Sequence, residues 1–236
     1  MLNILVRKCA VILFAIVIVC GCSEKQHDPD PHDSSEEPGF GGSIEDPVGQ
    51  PFVFPSQIKL EGGRVFTPDF CLTPDSLIGL SAALTRERIH GTPGYFVVCM
   101  TLTNSSSEPV TIRCPAGLTF ICERDETGRP RAQNGIIVYD VTITVSAKTT
   151  ESFLLDLYCL NASRTRPAME TRFSPGPVTE NPGMRKLIEV LEDKKIRNEE
   201  LGKDWIPVLT AIQGAVWDVA DNGAVSERSL VELSKL

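Results

Sequence analysis

Two residues stand out for the positions they hold. Gln213 lies among Leu209, Ile212, Val216, Trp217 and Ala220, a spacing that puts them all on one helix face, with Trp217 one turn after the glutamine. A carboxamide buried on such a face costs a few kcal/mol unless its N–H and C=O groups find partners. Cys159 closes a run in which Phe153, Leu155, Leu157 and Cys159 share one face, so its thiol should point inward. Other chemistries find no support. There is no G-x-S-x-G elbow, no H-E-x-x-H and no Gly-rich phosphate loop. His90 sits in Ile89-His90-Gly91-Thr92-Pro93-Gly94, which reads as a turn with a solvated imidazole. Arg124, Arg129 and Arg131 gather in one charged loop, read as a solvated hairpin tip. No C-x-x-C occurs, so a zinc site is not expected. Neither metal nor cofactor is expected, and the chain is not expected to be an enzyme.

The elements that must position these two residues are legible from periodicity. Tyr95–Thr103 is rich in β-branched and aromatic residues and ends in the turn Asn104-Ser105-Ser106-Ser107. Val110–Cys114, Leu118–Cys122, Ile136–Val145 and Ser152–Cys159 follow as strands with alternating faces. After Leu160 the period changes. Asn181-Pro182-Gly183 opens a helix, with Asn181 as cap and Pro182 at its first position, and Met184, Leu187, Ile188 and Leu191 form its apolar stripe. A second helix starts near Asp204 and ends at Asp221-Asn222-Gly223; Ser226 caps a short last one. Strands first and helices after, without βαβ alternation, give an α+β fold: an antiparallel sandwich or barrel over residues 58–160, then a C-terminal helical lobe over 161–236 packed on the sheet.

Tyr158-Cys159-Leu160-Asn161, then Arg164 and Pro167, an intervening helix, and Gln213-Gly214-Ala215-Val216-Trp217 resemble the thioester domains of bacterial surface adhesins. The resemblance covers roughly Gly94 to Gly223. It implies that the Cys159 thiolate attacks the Gln213 carboxamide carbon, expels ammonia and leaves a thioester inside the protein. It further implies that a lysine amine on another surface opens the bond and becomes joined to Gln213, leaving Cys159 free. Such chemistry needs the sulfur held against the carbonyl and little water, with Trp217 and Tyr158 as packing around the bond. The competing reading is that Gln213 hydrogen-bonds the backbone near the strand end, in a relative that kept the fold and lost the bond.

The N-terminus speaks to location. Arg7 and Lys8 precede an uncharged run, Cys9–Val19, shorter than the roughly 20 residues a spanning helix needs. Val19-Cys20-Gly21-Cys22 resembles a bacterial lipobox, which implies a signal peptide over residues 1–21 and lipid attached to Cys22. Ser23 follows, with no Asp, and by the same resemblance favours the outer membrane or cell surface. The expected location is extracytoplasmic, on a bilayer held through acylated Cys22. Residues 22–57 are acidic and Pro-rich and read as an extended tether; His27 and His32 within it make a poor metal site. Net charge is −8, and removing Arg7 and Lys8 leaves 21 basic against 31 acidic residues, about −10. A chain this acidic lacks the footprint of a nucleic-acid binder.

Eight cysteines occur, and after the signal and the lipid Cys71, Cys99, Cys114, Cys122 and Cys159 remain. Export permits disulfides, and an odd count leaves one thiol over. Cys114–Cys122 across Pro115-Ala116-Gly117 is the expected pair and Cys71–Cys99 the second, although four cysteines allow three connectivities. The expected function is a lipid-anchored surface attachment module that captures amines through Cys159 and Gln213. The alternative is a non-covalent binding or structural envelope lipoprotein, docking a surface protein or a glycan.

Overall fold

The computed structural model describes residues 37–63, 65–66, 89–168, 171–201 and 205–236, all within the compact unit Asp33–Leu236. The lipobox with Cys22, His27, His32, Cys71 and Asp204 lie outside the described residues.

The fold is α+β, a curled antiparallel sheet followed by helices. The strands are β1 (Gly49–Gln50), β2 (Ile58–Leu60), β3 (Val65–Phe66), β4 (Ile89–His90), β5 (Phe96–Asn104), β6 (Val110–Cys114), β7 (Leu118–Cys122), β8 (Gly135–Ile136), β9 (Val141–Val145), β10 (Thr150–Cys159) and β11 (Arg172–Thr179). The main sheet runs β2-β5-β3-β11-β7-β8-β10-β4, and a further β5–β10 pairing brings the path back on itself. β6 and β9 form a separate two-stranded sheet. Pairing is antiparallel throughout except for β4 beside β10. Val98, Met100, Leu102, Phe120, Ile143, Leu155 and Leu157 fill the inside of this curl.

The helices are α1 (Pro182–Leu191), α2 (Asn198–Leu201), α3 (Trp205–Asn222) and α4 (Glu227–Leu233). Asn181 caps α1, its side chain accepting from Met184 N at 2.9 Å. Ser226 caps α4 in the same way. Gly223 ends α3 with φ +76°, its N–H on Val219 O, the left-handed cap the sequence calls for. A second core joins Ile136, Val138, Tyr158 and Leu160 of the sheet to Met184, Leu187, Ile212, Ala215, Val216 and Val219 of the helices. The lobe therefore packs on the β8–β10 edge, as its stripes require.

Four expectations are corrected. The tether over 22–57 does not extend to 57. Phe40 is 1% exposed, Gly41 N donates to Leu160 O and β1 pairs with β11, so the segment from residue 37 onward belongs to the fold. The lobe is not helical from 161. β11 runs through it, its pattern hidden by Pro175-Gly176-Pro177, which sit in a register shift where missing N–H groups do no harm. A Cβ at Gly176 would lie 2.5 Å from Thr119 Oγ1, so only glycine admits this close pass. Ile136–Val145 is two strands in different sheets. The break is pinned by Asp140, whose carboxylate accepts from Ala116 N at 2.8 Å and from Arg113 Nε at 3.0 Å. His90 stands on β4, half-buried, its ring 5.9 Å from that of Phe153.

Candidate thioester site

β10 outruns its neighbour. Its pairing with β5 ends at Leu157↔Phe96, and continuing that register would set Cys159 opposite Gly94. The chain departs there instead. Gly94 presses on Leu157, where a Cβ would come within 2.4 Å of Leu157 N. Tyr158 and Cys159 pair on the other edge, with Ile136 and Gly135. The Cys159 N–H and C=O that face the missing strand are left without a backbone partner.

Gln213 supplies one. Cys159 N–H donates to Gln213 Oε1 at 2.9 Å, and Gln213 Nε2 donates to Cys159 O at 2.9 Å. The carboxamide thus stands in for a strand residue, across 54 positions of sequence. Both partners are buried, Cys159 at 0% and Gln213 at 3% exposure. The amide set on an apolar stripe is thereby satisfied on both atoms, which removes the desolvation penalty its position would otherwise carry.

Cys159 is a free thiol, and burial pushes it up to about 12, with Arg166 nearby acting in the opposite sense. It is protonated at neutral pH. Tyr158 is fully buried, its hydroxyl 3.1 Å from Thr92 Oγ1. Trp217 is half-buried, edge-on to Tyr95 with ring centroids 5.7 Å apart. Its indole N–H is buried without a partner among the described residues. Arg166 closes the group from the solvent side, its guanidinium 4.4 Å above the Tyr95 ring. Tyr95 and Arg166 escape a sequence reading: nothing in their spacing marks them, because one lies just before β5 and the other in the loop after β10.

The expected Cys114–Cys122 disulfide is absent; both are free, buried thiols. β6 and β7 do not pair with each other, for the Pro115-Ala116-Gly117 connection carries the chain from one sheet into the other. Even in a hairpin Cys114 would face the start of β7, and Cys122 lies four residues further, roughly 13 Å away, beyond the reach of a disulfide. Cys99 is disulfide-bonded, and since Cys114, Cys122 and Cys159 are free its partner is none of these. Among the described residues no group of three or more His, Cys, Asp or Glu side chains is placed to hold a metal ion. Among them, too, no helix is long and apolar enough to cross a membrane. Arg124 is more than a solvated tip, donating to Gly128 O, Ile44 O and Asp46, which ties the hairpin to the N-terminal segment.

Comparison with family models, with characterised proteins and with solved structures gave no match.

Proposed function

We propose that this chain is a lipid-anchored surface attachment module that forms an internal thioester between Cys159 Sγ and Gln213 Cδ and uses it to capture a primary amine on a partner. The observation that carries the reading is the docking of the Gln213 carboxamide on Cys159 itself, in a buried setting. In the bond-forming step the sulfur attacks Cδ, the Cδ–Nε2 bond breaks, and the thiol proton leaves with nitrogen as ammonia. No redox step is involved. Negative charge develops on Oε1, and the Cys159 N–H already donates to that atom, a placement that lowers the barrier to acyl attack. Burial excludes the water that would compete. In the capture step an amine nitrogen attacks Cδ, the C–S bond breaks, and the amine proton restores the Cys159 thiol. The turnover is single, so the module is a binder and not an enzyme. The surface partner is a protein lysine, and the anchor is the lipid on Cys22.

A second reading has its own observation. Both atoms of the carboxamide already hold hydrogen bonds, and the thiol is held protonated by its surroundings. On that reading Gln213 is a clamp that finishes the strand, and the chain is a non-covalent binding or structural lipoprotein for an envelope protein or glycan. Intact mass separates the two. The thioester reading expects the isolated chain to weigh one ammonia less than encoded, to add methylamine at Gln213 and to expose a new thiol at Cys159. An encoded mass with no methylamine adduct establishes the clamp.

A further inference from the structure

We infer that Arg166 and Tyr95, the latter edge-on to Trp217, form the cover that governs entry of a nucleophile to the Cys159–Gln213 pair; as a statement about amines reaching a thioester, this rests on the function proposed above.

Trp217 follows Gln213 by one turn of α3, so its indole stands beside the carboxamide on the same helix. Tyr95 comes from the opposite side. Its backbone N–H donates to Leu157 O at 2.7 Å, two residues before Cys159, which fixes its ring at the strand end. The two rings meet edge to face, and the Arg166 guanidinium stands over the outer one. Exposure grades outward, from buried Gln213 through half-buried Trp217 and Tyr95 to exposed Arg166. The Trp217 N–H has no hydrogen bond holding the indole to the backbone. Among the described residues, the side chains of this group are held to one another by ring packing and one cation–π contact. A cover held by such contacts opens more readily than one tied by ladder hydrogen bonds.

The chemistry explains why such a cover is useful. A thioester sealed by core packing resists water but is equally closed to a lysine. A cover whose outermost member is a solvated guanidinium admits a slim primary amine when Arg166 swings aside, and it returns afterwards.

The test uses the full chain. Wild type is first treated with methylamine, which leaves Cys159 as a thiol whether or not a thioester was present. The rate of Cys159 modification by N-ethylmaleimide is then followed by peptide mapping, with Cys114 and Cys122 as internal controls for global unfolding. Arg166→Gln and Tyr95→Leu should label Cys159 roughly two- to fivefold faster than wild type, the scale of one lost cation–π contact at an exposed site, with the two controls unchanged. Arg166→Lys, which keeps the charge but loses the broad planar guanidinium, should also label faster. Wild-type rates in Arg166→Gln and Tyr95→Leu overturn the cover, as does a slow Arg166→Lys beside a fast Arg166→Gln. Failure of the thioester reading shows separately, as an encoded intact mass before treatment, and leaves the labelling result to stand on its own.

Discussion

Asn161 holds Gly41 in place. Its side-chain Nδ2 donates to Gly41 O at 3.0 Å and to Gly39 O at 3.1 Å, while Asn161 Oδ1 accepts from Asn134 N at 2.9 Å. One fully buried amide therefore ties the N-terminal segment, the β8 approach and the end of β10. Asn161→Ala leaves two backbone groups, Gly41 O and Asn134 N, without partners, while Gly39 O keeps Asn134 Nδ2 at 3.4 Å. It should cost about 2–4 kcal/mol, since each buried orphan is worth about 1–3 and relaxation recovers part. Urea unfolding of the two proteins measures it, and a loss under about 1 kcal/mol would show that this tie is dispensable.

Trp217 separates size from polarity. Its N–H has no partner, so Trp217→Phe loses contact area but no hydrogen bond and should cost under about 1.5 kcal/mol. Trp217→Ala should cost about 2–3 kcal/mol, below the usual range for a fully buried tryptophan because the ring is half-exposed. Thermal and urea unfolding decide the matter. Equal losses for both variants would mean that the indole N–H carries a bond in solution.

Cys114 gives a pH prediction. Burial pushes its thiol up to about 12, against about 8.5 in the unfolded chain. The folded state keeps a proton that the unfolded state releases, so this contribution to stability is complete below the unfolded value and is lost as pH rises toward the folded one. Between about pH 9 and 12 wild type should lose about 1.4 kcal/mol per pH unit more than Cys114→Ala does. Parallel stability curves for the two proteins over that window would refute the buried thiol.

Gln213→Glu probes the clamp chemically. A carboxylate still accepts from Cys159 N–H but sets an acceptor against Cys159 O, where Nε2 donates now. The new acid is buried and faces a carbonyl, so its folded-state affinity for a proton should be raised. The variant should be weaker than wild type by about 2–4 kcal/mol at neutral pH. It should recover on acidification, because a protonated carboxyl regains a donor; the benefit is full below the unfolded glutamate value and fades as pH climbs. Chemical denaturation across pH 4 to 7 reads this out, and a flat difference from wild type would count against the two-bond geometry.

The strand and helix pattern was readable wherever one face met one core. β5, β6, β7 and β10 and the stripes of α1 and α3 show their alternation or their 3.6 period openly. β11 did not, because Pro175 and Pro177 look like loop residues until the register shift that accommodates them is seen. The N-terminal segment misled for a related reason. Its folded part is held by backbone carbonyls of Gly39, Gly41 and Ser43 reaching Asn161 and Arg164, and carbonyls leave no trace in composition. At the site, Gln213 announced itself as a polar residue on an apolar face and Cys159 as an inward thiol, and the structure brings the two together. The Cys114–Cys122 pairing failed because Cys122 lies four residues into β7, out of reach even in a hairpin, and because β6 and β7 join different sheets.

The strand end at Cys159 is finished by a residue that follows it by 54 positions. Synthesis runs from the N-terminus, so β10 is complete before α3 exists. Until α3 docks, the Cys159 N–H and C=O that Gln213 serves have no partner. Loss of the C-terminal helices would thus do more than remove one lobe: it would leave the end of β10 unfinished. The late arrival of Gln213 makes completeness of translation a condition for a finished strand end, a form of quality control written into the order of the elements.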